Sequence, residues 1–307
     1  MEPISKIGDT PLSICVYSVE TSPTQMHDKG TLEIIFCLKG SVKFSYAYEE
    51  FTLHAGEYIS VDRDAYYLYD GKDNICVSFY IDLHKYEGRY PFICNNLFVC
   101  EGLAESTMPY PTENHDRLKG LLIAMLKCVI GRYEADKAKK QVDKIVELFI
   151  RRFDIFSFHT GIDTLEGENF DRLHKINDYL NVHLQEKVTV ADLARELNLT
   201  EGYVSEYMRK MSAGFRGMMG YIRVNESEKY LIKTDKTIIE ISEECGFSDV
   251  KYYYSAFKRW YKCTPNQFRK KYGSFHERHI EYLPLQSITD LLDETLMNHY
   301  MEIFTDS

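Results

Sequence analysis

The chain has 307 residues, 44% of them hydrophobic and 27% charged, with a net charge of −10; that is the composition of a globular protein with room for two separately cored domains. No apolar run approaches the roughly 20 residues needed to cross a bilayer, and MEPISKIGDT lacks the basic-then-apolar order of a secretion signal, so a cytoplasmic protein is expected. Eight cysteines, at 15, 37, 76, 94, 100, 128, 245 and 263, form no C-x-x-C pair, which argues for reduced thiols and against a zinc knot or a disulfide frame.

In chain order, residues 12–82 favour strands. The runs 32–38, 41–48 and 75–81 are β-branched and aromatic, and Lys39-Gly40 and Asp70-Gly71 read as turns between them. Residues 83–112 are irregular, with Pro91, Pro109 and Pro111 as breakers. Two helices follow. Leu118, Leu121, Leu122, Met125, Leu126 and Val129 form one stripe at helical spacing, and Val142, Ile145, Val146, Phe149, Ile150 and Phe153 form a second. Residues 171–272 read as helical throughout, and Ile288, Leu291, Leu292 and Leu296 suggest one more amphipathic helix in an acidic tail. The expected division is 1–115 for the strand-rich domain, 116–160 for a helical pair, 161–170 for a linker, 171–273 for a helical domain and 274–307 for an acidic extension, helical in character.

The negative charge is unevenly spread. Residues 171–273 hold 18 Lys+Arg against 14 Asp+Glu, residues 1–170 hold 18 against 26, and residues 274–307 hold 1 against 7. A net basic balance is thus confined to the helical domain, where contacts with phosphates would need it.

That domain contains two copies of one pattern, 48 residues apart. Thr189, Asp192, Leu193, Ala194 and Leu199 align with Thr237, Glu240, Ile241, Ser242 and Phe247. In each copy a Thr precedes a helix and an acid follows three residues later, as in a capping box. The predicted helices are 190–197 and 201–211 in the first copy, with Thr200 as cap, and 238–245 and 250–261 in the second, with Ser248 or Asp249 as cap. A long helix, 215–233, joins the copies, and Gly246 stands where the turn needs φ > 0. Each pair has the order of a helix-turn-helix unit, whose second helix can enter the major groove of DNA.

This arrangement resembles the AraC/XylS family of bacterial transcription regulators. The strongest match is GFSDVKYYYSAFKRWYKCTPNQFR, residues 246–269, where Gly246, Phe247, Asp249, Tyr252, Phe257, Lys258, Thr264, Pro265 and Arg269 fit the second-module signature. Phe215, Arg223, Val224, Leu231 and Thr234 agree in the joining helix. Ser212, Met218, Ser227, Ser242 and Lys262 depart from the usual residues without adding a proline or removing a charge. The resemblance implies base-reading positions at Gly202, Ser205 and Glu206 in the first module and at Val250, Lys251, Tyr252 and Ser255 in the second. Glu206 could accept from cytosine and Lys251 could donate to guanine. Arg209, Lys210, Lys258 and Arg259 are expected to grip phosphates and set register. Ser205 and Glu206 read equally well as solvated helix residues, and Tyr252 as a packing residue. Leu193, Ile241, Phe247, Phe257 and Trp260 are expected in the core, and Arg223 as an ion-pair partner within the module.

The strand-rich segment resembles the cupin barrel that precedes the reading module in many such regulators. His27-Asp28-Lys29, then Glu33, then Gly40 seven residues on, follow the first cupin signature, but Lys29 replaces its second histidine. Gly56-Glu57 opens the second signature, and Tyr67 replaces its histidine. With two of four ligands gone no metal is expected. The barrel would instead hold a small organic effector, a sugar being one candidate, lined by His27, Lys29, Glu33, Phe44, Tyr46, Tyr58 and Tyr67; any of these tyrosines also reads as ordinary packing.

The expected fold class is therefore α+β in two domains: a cupin-like β-barrel with flanking helices, then an all-α double helix-turn-helix. The expected function is that of a non-enzymatic regulator that binds double-stranded DNA, without a cofactor. It would act as a homodimer through the 116–160 helices, with RNA polymerase as a candidate partner. Two alternatives stand beside it: a metal-dependent cupin enzyme with a helical appendage, and a regulator controlled by a partner protein docked on the acidic tail.

Overall fold

Alternation along three long strands, two of them interrupted by bends, builds the amino-terminal half. In β2 (Leu12–Thr21), β3 (Thr31–Tyr46) and β6 (Tyr66–Asp82) successive side chains face opposite sides. Leu12, Ile14, Val16, Leu32, Ile34, Phe36, Val77, Phe79 and Ile81 fill one face, while Cys15, Tyr17, Val19, Ile35, Cys37 and Cys76 fill the other. The computed structural model describes residues 5–46, 49–103, 112–131, 135–154, 167–211, 213–273 and 277–292.

These strands pair antiparallel in a sheet of order β1-β2-β6-β3-β5-β7, with β1 at Ser5–Lys6, β5 at Tyr58–Val61 and β7 at Glu101–Gly102. A further strand, β4 (Glu49–His54), pairs with β3. No pairing among the described residues closes the two ends of this sheet into a ring. Lys39-Gly40 and Asp70-Gly71, expected to be turns, instead bend two continuous strands. The β3–β6 register slips between Cys37 and Lys43, and Gly40, Asp70 and Asp73 take positive φ. A side chain at Gly40 would come within 2.3 Å of the Asp73 carbonyl oxygen, so the bend needs glycine there.

Helices α1 (Thr112–Ile130) and α2 (Ala135–Arg152) lay both predicted stripes on the first face of the sheet. Leu118, Leu122, Met125, Leu126, Val142, Ile145, Val146 and Phe149 share one core with β2, β3 and β6. The stripes expected to serve dimerisation are therefore consumed within the chain.

The helical domain comprises α3 (Gly167–Val182), α4 (Val190–Glu196), α5 (Glu201–Met211), α6 (Gly214–Lys233), α7 (Ile238–Glu244), α8 (Val250–Tyr261) and α9 (Pro265–Tyr272). Thr189 with Asp192, and Thr237 with Glu240, form reciprocal capping boxes. Asp249, one of the two candidates, caps α8. The linker expected at 161–170 lies outside the described residues up to 166, and α3 begins at Gly167.

The tail departs from expectation. Its residues His279–Leu283 form a strand, β8, added to the free side of β2, because alternate residues such as Ile280 and Tyr282 can join the second sheet face. Short 3-10 turns follow at Leu285–Ile288 and Asp290–Leu292, with Ile288 and Leu292 in the core against α1 and α2. The rest of the expected tail helix lies outside the described residues. None of the described helices is long and apolar enough to cross a membrane.

Candidate functional site

Two exposed helix faces repeat across the twin units. On α5, Gly202, Ser205, Glu206, Arg209 and Lys210 are exposed while Val204, Tyr207 and Met208 are buried. On α8, Lys251, Tyr252, Ser255, Lys258 and Arg259 are exposed, Val250 is half-buried, and Tyr253, Phe257 and Tyr261 are buried. Tyr252 does not pack into the core; it is 56% exposed, and Lys251 lies over its ring, 5.1 Å from the centroid. All the positions assigned to base reading and phosphate contact thus share the outward sides of two equivalent helices.

Their charges are already engaged with one another. Arg209 donates through Nε and Nη2 to the two Glu206 oxygens at 2.9 and 2.8 Å, and Lys210 lies 3.3 Å from the same carboxylate. Arg209 and Lys210 hold the Glu206 pKa down at about 2, so the group is an obligate acceptor at any physiological pH. Lys251 pairs with Asp249 at 3.3 Å. Arg172 adds a cation missed in the sequence: it donates to Tyr203 Oη at 2.9 Å and covers the Tyr203 and Tyr207 rings.

Supporting residues tie the units to the segments that flank and join them. Arg223 donates to the carbonyls of Leu184 and Glu186 at 2.7 and 2.8 Å. It is structural, as expected, but binds backbone oxygens rather than a carboxylate. Arg269 does the same for Leu231 and Lys236 at 3.1 and 2.6 Å. Gly246, at φ 77°, lets the turn come against the Leu184 carbonyl, which a Cβ would approach to 2.4 Å. Leu193, Ile241 and Phe257 are fully buried, whereas Phe247 and Trp260 are half-buried at the core's edge.

The expected effector-lining set separates into four places, and strand parity explains the three that its strand residues occupy. Glu33 faces the second side of the sheet, where His27 Nε2 lies 2.7 Å from its Oε2 and Tyr66 Oη donates to the same oxygen at 2.5 Å. Burial opposes charge on both groups, but their mutual bond outweighs it, raising the His27 pKa and lowering that of Glu33. Phe44 and Tyr46 join this side, Phe44 stacked on Tyr66 at 5.3 Å. Tyr58 does not. It pairs with Phe36, which faces the helices, so its ring lies in the other core and its hydroxyl donates to the His115 carbonyl at 3.0 Å. Tyr67, next to Tyr66 on the strand, faces away and packs on Tyr272 of α9. Tyr58 and Tyr67 therefore leave the set, while Tyr66, Tyr80 and Tyr17 enter the environment of Glu33.

Lys29 lies elsewhere again, on a cavity of about 130 Å³ between the sheet and α6. His27, Lys29 and Arg63 line it from one side and Asn225, Glu226, Lys229 and Lys233 from the other, with Met26 and Asp28 at its margin. Burial, reinforced by Arg63, lowers the Lys29 pKa.

Beside this cavity runs a polar seam that sequence reading did not identify. Asp64 accepts from Asn225 Nδ2 at 2.8 Å and from Tyr261 Oη at 3.2 Å. Glu228 accepts from the Ala65 amide at 2.8 Å and also bonds Tyr261. Burial pushes the Glu228 carboxyl well above its ordinary value, with Asp64 adding to it. Burial likewise pushes Asp62 up to about 7, only partly offset by Arg63. A signal did exist: Glu228 occupies a core position of α6, four residues after Val224 and three before Leu231, where a charge must find buried partners.

Comparison with known proteins bears on the helical half. Residues 193–271 match a family described as a helix-turn-helix domain. An uncharacterized HTH-type transcriptional regulator of Staphylococcus aureus (strain COL) is 23% identical over 202 residues, covering 62% of this chain and 26% of that protein. The chain thus spans about a quarter of the length of these staphylococcal relatives. The uncharacterized HTH-type transcriptional regulator YdeC of Bacillus subtilis (strain 168) is 20% identical over 263 residues, 81% of this chain and 86% of the relative. Among solved structures, unsaturated fatty acid bound ToxT from Vibrio cholerae strain SCE256 aligns over 88% of this chain and 99% of its own, at 16% identity and a TM-score of 0.43.

Proposed function

We propose that this chain, whose residues 193–271 form a helix-turn-helix DNA-binding domain of the AraC type, is a sequence-specific transcription regulator controlled by a small anionic effector. The observation that carries the DNA reading is the duplication itself. Two units with the same capping box each bury one stripe and turn a polar, partly cationic face outward. We assign Gly202, Ser205, Glu206, Val250, Lys251, Tyr252 and Ser255 to base edges or groove shape, and Arg209, Lys210, Lys258 and Arg259 to phosphates.

The effector assignment rests on the seam cavity. Lys29, Arg63, Lys229 and Lys233 outnumber Asp28 and Glu226 along its lining, and a half-buried, partly desolvated ammonium favours an anion over a neutral sugar. The sugar reading has less support, since Phe44, Tyr46 and Tyr66 pack on one another. The catalytic-metal reading is weaker too, because His27 and Glu33 are bonded to each other and Tyr67 packs on α9 instead.

We divide the chain functionally at 1–115, 116–160, 161–170, 171–273 and 274–307, with β8 of the last segment serving the first. A homodimer would use the outward faces of α1 and α2, and RNA polymerase would be a partner at the promoter; the cupin relationship of the sheet belongs to the same reading.

Selection of fragments from a random duplex pool by the full-length protein tests the proposal. A recovered consensus is expected, and affinity for it should fall about a hundredfold over a roughly fourfold rise in salt, as four phosphate contacts require. A well-folded protein that enriches no sequence, or whose binding ignores salt, would overturn it.

A further inference from the structure

Away from the seam cavity and the DNA-facing helices, three metal-ligating side chains of different types meet beside the β6 terminus. His84 and Glu87 lie on and just after the 3-10 turn Leu83–Tyr86, and Cys94 lies on the next one, Ile93–Asn95. The His84 Nδ1 atom is 3.1 Å from a Glu87 oxygen and 3.4 Å from the Cys94 sulfur. All three ligand atoms fall within 4.8 Å of one another, on a surface that is exposed at His84 and Glu87 and half-buried at Cys94.

The far side of the imidazole supplies a second, independent observation. His84 Nε2 lies 3.2 Å from the Lys29 carbonyl oxygen, an acceptor only, so a metal-bound ring would keep its proton on Nε2 and turn the Nδ1 lone pair to the ion, between the Cys94 sulfur and the Glu87 carboxylate. A backbone carbonyl fixing the tautomer in this way is the usual outer support of a metal-bound histidine. At Gly30 a Cβ would come 2.4 Å from His84 Nε2, so a larger residue there would push the imidazole off this turn.

We propose that His84, Glu87 and Cys94 bind one divalent ion of the zinc type. A nitrogen, a sulfur and a carboxylate oxygen form the borderline ligand set that Zn(II) accepts, and harder ions such as Mg(II) do not take thiolate. Binding replaces the Cys94 S–H proton, released to solvent, by an S–Zn bond; Nδ1 and a Glu87 oxygen donate without losing protons. Three protein ligands leave a fourth position for water. The ion would replace the weak Cys94–His84–Glu87 contacts with a rigid clasp across the two 3-10 turns and stiffen the Lys29-Gly30 turn beneath.

Titration of the metal-free, reduced full-length chain with Co(II), a spectroscopic stand-in for Zn(II), tests this. One equivalent should produce a thiolate-to-cobalt charge-transfer band, which Zn(II) then abolishes by displacement. Cys94→Ser should remove the band, and His84→Gln should weaken binding by roughly tenfold or more, while Cys128→Ser, at the other half-buried thiol, leaves both unchanged. Gly30→Ala, which displaces the ring without touching a ligand, should also weaken binding. Circular dichroism matching the parent keeps each loss interpretable. No thiolate band, or a band that persists in Cys94→Ser, overturns the proposal.

Discussion

Glu206 carries the most informative chemistry of any single side chain on the face proposed to meet DNA. Its carboxylate accepts two bonds from Arg209 and a third contact from Lys210, so in the free protein the base-reading candidate neutralises the phosphate-gripping ones. Binding at a cytosine would have to exchange these partners for an exocyclic amine, releasing Arg209 and Lys210 toward the backbone. The pairs are fully exposed, so their rupture costs little. Glu206→Ala is therefore expected to separate two effects that usually travel together. Preference at one base pair, worth about 1–3 kcal/mol, should vanish from the selected consensus. Affinity for unrelated duplex should rise severalfold, because two freed cations face the phosphates with one negative charge fewer. A consensus unchanged at every position would show that Glu206 is only the solvated partner of its neighbours.

Among the elements, the twin capping boxes let the same experiment be made twice in one molecule. Thr189 and Thr237 each accept from the amide three residues on, and Asp192 and Glu240 return the bond. Each cap should contribute about 1 kcal/mol. Thr237→Ala is expected to lower the unfolding midpoint of the full chain by about 2–4 °C, and Thr189→Ala by a similar amount; calorimetry checks both, and a shift in only one would mean that the modules differ in support. These elements were readable in advance because caps, periodicity and the turn glycine are local signals. The α5 and α8 boundaries were met at both ends, and the β-branched runs 32–38 and 75–81 fall within β3 and β6. What was not readable depends on parity and on distant partners. One residue of register sends Tyr58 toward the helices and Tyr67 toward α9. The bends at Gly40 and Asp70 resemble turns until β6 is seen to run past both. The seam of Asp64, Asn225, Glu228 and Tyr261 joins residues up to 197 positions apart, so no window of sequence could contain it.

At the scale of the whole molecule, the seam fastens the sheet side to α8, the helix proposed to read bases. Tyr261 ends α8, the helix that presents Lys251 and Tyr252, and its hydroxyl bonds Asp64 on the sheet side and Glu228 on α6. The loop 62–65 is thus bonded directly to α8 and α6, and the titration of that loop can be read in stability. Asp62 has an ordinary pKa of 3.8 and is pushed to about 7 in the folded chain by burial, with Asp64 reinforcing and Arg63 and His27 opposing. Between those values the folded protein holds a proton that the unfolded chain has given up. This favours the folded state fully below about pH 4, and the advantage is lost as pH rises toward 7. His27, whose pKa is also raised, acts in the same direction, so wild-type stability alone would not isolate Asp62. Asp62→Asn does isolate it, since a neutral amide of the same size needs no proton. The variant is expected to lie within about 1 kcal/mol of wild type near pH 4 and to exceed it progressively toward pH 8, by at most on the order of 4 kcal/mol. Denaturant unfolding of both proteins across that range gives the difference directly. Parallel profiles would mean that water reaches the carboxylate and that the seam carries no proton-linked strain.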